Sequence, residues 1–153
     1  MPIDSHSYSS VAAVAALAPL YTDAGVFTAT TRPTLTQVER FIDQVSGAVN
    51  VLLAAQGFEI PITQADAKAA IDGFVALEAV SYVEYANSAG PWVVDSQQMR
   101  ASSPARIVLR DVEAFIASQA LGFEALGATR TRTLTAGLAA VEIAPIWDMD
   151  WSG

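Results

Sequence analysis

Cysteine is missing from this chain of 153 residues, and histidine and lysine occur once each, as His6 and Lys68. Without cysteine there is neither a disulfide framework nor a thiolate metal site. With His6 as the only imidazole, a serine nucleophile has one candidate base, and that base sits in an N-terminus expected to be unstructured and surface-exposed. Charge is also scarce: 16% of residues are charged against 52% hydrophobic, so part of the apolar surface is expected to meet a partner. Eight basic against sixteen acidic residues give a net charge of −8, which argues against gripping a phosphate backbone by counterion release.

Long hydrophobic runs are lacking as well. The apolar run Val11 to Leu20 has no Lys or Arg before it, as a signal peptide would require. The stretch Gln44 to Phe58 is too short to cross a bilayer, so no membrane span is expected. Glycine-rich phosphate loops, dinucleotide fingerprints and zinc-ligand spacings do not occur. Glu39 and Asp43 share a helix face four residues apart, but no general-acid partner is identifiable, and the pair reads as a solvated face. Asp148 and Asp150 leave most oxygen ligands of a hard cation unsupplied. The expectation is a chain that is not an enzyme and uses no cofactor or metal.

What is present is helical periodicity. Ser9 or Ser10 caps a short helix over Val11, Val14 and Leu17 that Pro19 ends. Thr34 and Gln37 have the spacing of a capping box, and Val38, Phe41, Ile42, Val45, Val49, Leu52 and Leu53 then fall on one stripe. Gly57 before Phe58 supplies a left-handed stop. Pro61 and Thr63, with Asp66 three residues on, start a third helix running to about Asn87, with Ile71, Phe74, Val75, Tyr82 and Val83 on its buried face. Ser103-Pro104 opens a fourth helix over Ile107, Val108, Leu109, Val112, Phe115 and Ile116, ending near Gly122 or Gly127. The predicted core includes Phe41, Val45, Leu52, Phe74, Phe115 and Ile116.

From Ala128 the pattern changes, because Thr129-Arg130-Thr131-Arg132-Thr133 alternates with period two and is β-branched. The predicted fold class is therefore all-α: a bundle of about four helices over residues 1–127, followed by an extended, β-capable C-terminal arm over 128–153. Arg130 and Arg132 point the same way on such an arm, either to bind a partner or to blunt a strand edge. Trp147, Met149 and Trp151 alternate to one side with Asp148 and Asp150 on the other, and this terminus reads as an interface anchor or, alternatively, as a segment folded back on the bundle. Trp92-Val93-Val94, in the long connection between the third and fourth helices, is a further candidate interface.

The run Phe27-Thr28-Ala29-Thr30-Thr31-Arg32-Pro33-Thr34, followed by Gln37-Val38-Glu39, Ile42-Asp43, Val45-Ser46 and Ala54-Ala55-Gln56-Gly57-Phe58, resembles the head–tail adaptor (connector) proteins of tailed bacteriophages. The similarity covers roughly Tyr8 to Pro91 and consists of caps, core positions and turns. It implies a small helical subunit of the virion, assembled in the host bacterial cytoplasm into a homo-oligomeric, usually dodecameric ring beneath the portal. Implied partners are the portal protein and a stopper or tail-completion protein, with genomic DNA passing through unbound. It also implies that a C-terminal arm, in this chain Ala128 through Trp151, reaches the portal. Acidity suits such a conduit, and thin surface charge suits side-by-side packing. The alternative from another class is a helical regulatory module, monomeric or dimeric, binding a peptide beside Trp92.

Overall fold

The computed structural model describes residues 3–88 and 104–131. Four α-helices account for most of them: α1 (Val11–Leu17), α2 (Leu35–Ala55), α3 (Ala65–Ser88) and α4 (Pro104–Ala125), with a 3₁₀ turn at Pro19–Tyr21. Among the described residues there is no strand or sheet, only two isolated β-bridges. The fold is a small helical bundle, as the periodicity predicts.

Each helix begins and ends for a local reason. The Ser10 hydroxyl accepts a hydrogen bond from Ala13 N and caps α1, which Pro19 stops two residues after Leu17. A two-residue turn follows, in which Asp23 and Val26 exchange backbone hydrogen bonds of 2.9 and 3.0 Å. Ala24 and Gly25 take φ of 48° and 82° there, the left-handed pair that such a tight turn requires. The threonine-rich run before α2 is bonded to itself, with Thr28 N donating to Thr31 Oγ1, Thr31 Oγ1 donating to the Pro33 carbonyl, and Leu35 N returning to Thr28 O. Thr34 and Gln37 form the expected capping box, in which Thr34 N donates to Gln37 Oε1 at 2.9 Å.

α2 and α4 end alike. Gly57 at φ 85° and Gly127 at φ 89° turn the chain left-handed, and the next residue's N–H reaches five residues back: Phe58 N to Leu53 O, and Ala128 N to Phe123 O. With Gly57 N bonded to Ala54 O and Gly127 N to Glu124 O, these bonds satisfy the last carbonyls and turn both Phe58 and Ala128 into the core.

The core is a seam of short aliphatic side chains. Ala67, Ile71, Val75, Ala79 and Val83 recur every fourth residue on α3 and are all fully buried. They meet Val38, Ile42, Val45, Val49 and Leu53 of α2, and Val108, Val112 and Ile116 of α4. Small residues along this seam allow close helix approach. α1 packs across α3 and α2, so α3 touches every other helix.

The seam corrects the predicted core. Val45 and Ile116 are buried, but Phe41, Leu52, Phe74 and Phe115 are only half-buried, as is Tyr82. Rings are too bulky for a valine and alanine seam, so they flank it and stack: Phe41 on Tyr82 with centroids 5.3 Å apart, Phe74 on Phe115 at 4.1 Å. The buried aromatics are instead Tyr8, Phe27, Phe58 and Phe123, three of which lie outside the helices.

Candidate interface

Two places bring polar chemistry and chain ends together. At the first, residues 4–8 lie along α2, contrary to the unstructured N-terminus expected from sequence. Asp43 accepts hydrogen bonds from Asp4 N at 3.0 Å and from the Ser7 hydroxyl at 2.7 Å. Tyr8 N donates to Ser46 Oγ, and Asn50 Nδ2 donates to the His6 carbonyl. The Tyr8 hydroxyl donates to Asn50 Oδ1 at 2.8 Å and accepts from Ile62 N at 3.0 Å, tying this segment to the α2–α3 connection. Burial pushes the Tyr8 phenol above its ordinary range, so it holds its proton for that bond. Asp43, Ser46 and Asn50 thus form a polar track on one face of α2. Asp43 is therefore a structural acceptor, which corrects its reading as a solvated carboxylate. His6 keeps an exposed side chain, with Nδ1 3.4 Å from Asp4 Oδ1.

At the second place, the start of the C-terminal arm is joined to the bundle. Glu59 N donates to Thr129 O and Thr131 N donates to Gly57 O, each at 2.9 Å, which pairs Phe58 with Arg130 in an antiparallel bridge. Facing side chains in such a pair lie close together. The Arg130 guanidinium sits 4.6 Å above the Phe58 ring, and its Nε is 2.7 Å from Glu124 Oε1. Phe58 meets Phe123 edge-on and Phe123 meets Phe115, so an aromatic row runs inward from the arm's root. The chain thus stays on the bundle four residues beyond Gly127. Of the arm's predicted partner-binding residues only Arg130 is described, and it faces its own bundle. Arg132, Trp147, Asp148, Met149, Asp150 and Trp151 lie outside the described residues, as do Trp92, Val93 and Val94.

No protein-family model, curated protein or solved structure matches the chain.

Among the described residues the surface includes two grooves. One, of about 650 Å³, separates the N-terminal segment and α1 from α3, with the Lys68–Asp72 ion pair at one end and Leu17 and Leu77 at the other. The second, of about 520 Å³, lies between α2 and α4, with Leu52, Ile116, Ala114 and Ala117 along it and Gln56 and Glu113 among its polar residues. The one histidine, His6, lines neither groove. Among the described residues no cluster of three His, Asp or Glu side chains is placed to hold a metal. No helix among them is long and apolar enough to cross a membrane.

One buried carboxyl stands apart from both grooves. Glu78 of α3 is 8% exposed, and burial raises its carboxyl above the usual carboxylate range, with the charge of Asp111 on α4 adding to the effect. The neighbouring Tyr82 phenol is raised by burial and then by Glu78 itself. Sequence reasoning missed Glu78 because a glutamate on a long helix reads as solvated by default. It also missed the Asp43, Ser46 and Asn50 track, whose signal was polar residues at helical spacing beside the apolar stripe.

Proposed function

We propose that this protein is a structural subunit of the head–tail joint of a tailed bacteriophage, an adaptor that forms a ring beneath the portal and carries no catalytic activity. Its partners are the portal protein, a stopper or tail-completion protein and further copies of itself, and DNA passes its acidic surface without specific binding. The observation that carries the reading is the stretch from Phe27 to Phe58, whose caps and turns resemble those of head–tail adaptors. In the fold that stretch forms a self-bonded threonine loop, a capping box and a glycine stop.

Surface chemistry supports the same reading. Leu20, Leu121 and Val51 are 91%, 78% and 68% exposed, on a molecule with few charges to keep copies apart. A net charge of −8 suits a conduit that repels DNA.

Deleting the gene tests the proposal. Loss of the chain should leave DNA-filled heads and separate tails that do not join, with complementation restoring whole particles. Normal tailed particles in its absence would reject the proposal. Replacing His6 with alanine should leave joining unchanged, since no base is required.

A further inference from the structure

We infer that the outer stripe of α4 is a self-association surface, on which two copies of this chain pack their α4 helices antiparallel about a two-fold axis at Ala117. The inference does not depend on the viral reading. A two-fold contact uses the same patch on both copies and closes at two, whereas a ring needs a head-to-tail contact elsewhere on the molecule.

The periodicity of α4 gives the first step. Arg110, Ala114, Ala117, Leu121 and Glu124 follow one another at steps of three and four, so they form one stripe along the helix. The core side of α4 is carried by Val108, Val112, Ile116 and Phe123. The stripe is left facing outward: Ala114 and Ala117 are exposed, Leu121 is 78% exposed, and the Arg110 side chain 74%.

Charge supplies the second step and names the occupant. Arg110 lies seven residues before Ala117 and Glu124 seven after it, so opposite charges stand about 10 Å to either side, at roughly 1.5 Å per residue. After seven residues an α-helix returns to within roughly 20° of the same direction, so both charges share the outward direction of Ala117. Turning a second copy end for end about Ala117 therefore brings each Arg110 level with the Glu124 of the other, and one stripe makes two ion pairs. Leu121 of each copy then falls beside Ala114 of the other. Ala114 and Ala117 are small and line the mouth of the α2–α4 groove, which leaves room for that leucine and for close helix approach. Glu113 lies about 40° from the Ala117 direction on the flank away from Leu121, so its carboxylate keeps to the rim. Both ions have capacity to spare. Arg110 reaches Asp111 through Nε and Nη2 of a group with five N–H donors, and Glu124 gives Oε1 to Arg130 from a group with two acceptor oxygens.

Sedimentation of the full-length chain should show a concentration-dependent equilibrium between monomer and dimer. Arg110→Glu alone and Glu124→Arg alone each set like charges together twice, and each should weaken the dimer at least about tenfold. An equimolar mixture of the two variants should dimerise as the unaltered chain does, with one ion pair intact and the other carrying exchanged signs. The absence of cysteine gives a second reading: Ala117→Cys should oxidise to a disulfide-linked dimer, and Ser118→Cys, about 100° round the helix, far more slowly. A chain monomeric at every concentration, single reversals that associate like the unaltered chain, a mixture no better than its parts, or equal linking at the two cysteine positions would each overturn the inference.

Discussion

The Arg130 guanidinium lies 4.6 Å above the ring of Phe58 and ties the start of the C-terminal arm to the stop of α2. With Ala128 buried and Thr131 bonded to Gly57, anchoring among the described residues extends past Gly127 to Thr131. Truncation after Thr131 should therefore leave helical circular dichroism and melting close to those of the full chain. Truncation after Leu126 removes the buried Ala128 and the stacked Arg130, and should cost about 1–3 kcal/mol in urea unfolding. Equal stability of the two truncations would refute this anchoring.

Tyr8 bridges three parts of the chain through one hydroxyl. Tyr8→Phe keeps the ring but leaves the Ile62 N–H and the Asn50 carbonyl short of a partner, at a cost of about 1–3 kcal/mol. The urea midpoint should fall without a change in slope. A loss no larger than that of the exposed His6→Ala would show that the N-terminal segment contributes nothing to the fold.

Phenylalanines should separate by burial. Phe123 is fully buried, and Phe123→Ala should cost about 3–5 kcal/mol. Phe41, half-buried and stacked on Tyr82, should lose clearly less. Sequence periodicity places Phe41 in the core, so the pair of unfolding curves also tests the corrected core.

Much of this bundle is legible in its sequence, and the reasons are local. Ser10, Thr34 with Gln37, Gly57 and Gly127 act within a few residues of themselves, so caps and stops are readable without tertiary information. Burial of Tyr8 and docking of residues 4–8 depend on Ser46, Asn50 and Ile62, some forty to fifty residues away, and no local pattern carries that. Periodicity places Phe41 and Phe74 on the correct side of their helices. Whether a ring fills the seam or lies beside it depends on the partner helix, here lined with valine and alanine. At the arm, the alternating Thr-Arg pattern correctly signals extended backbone at Thr129 to Thr131, whereas the pairing with Gly57 to Glu59 is tertiary.

Glu78 gives the fold a pH dependence of known sign. Its carboxyl is raised in the folded protein by burial and then by Asp111, so the folded state holds that proton more tightly than the unfolded chain does. The associated stabilisation is fully present below the unfolded value of about 4.3 and is lost as pH rises through the raised folded value. Glu78→Gln removes this loss, so it should stabilise the protein near neutral pH, and its advantage over wild type should shrink as pH falls toward about 4. An advantage independent of pH, or a destabilisation at neutral pH, would show that the charged carboxylate is well accommodated.

The most direct test of the proposed role is electron cryo-microscopy of tailed particles assembled with this chain present. The expected result is density for the four-helix bundle repeated in a ring beneath the portal, with the segment around Trp147 and Trp151 in contact with the portal or a neighbouring copy. Particles whose portal meets the stopper directly, with no helical ring and no peptide of this chain in the purified virion, would contradict it.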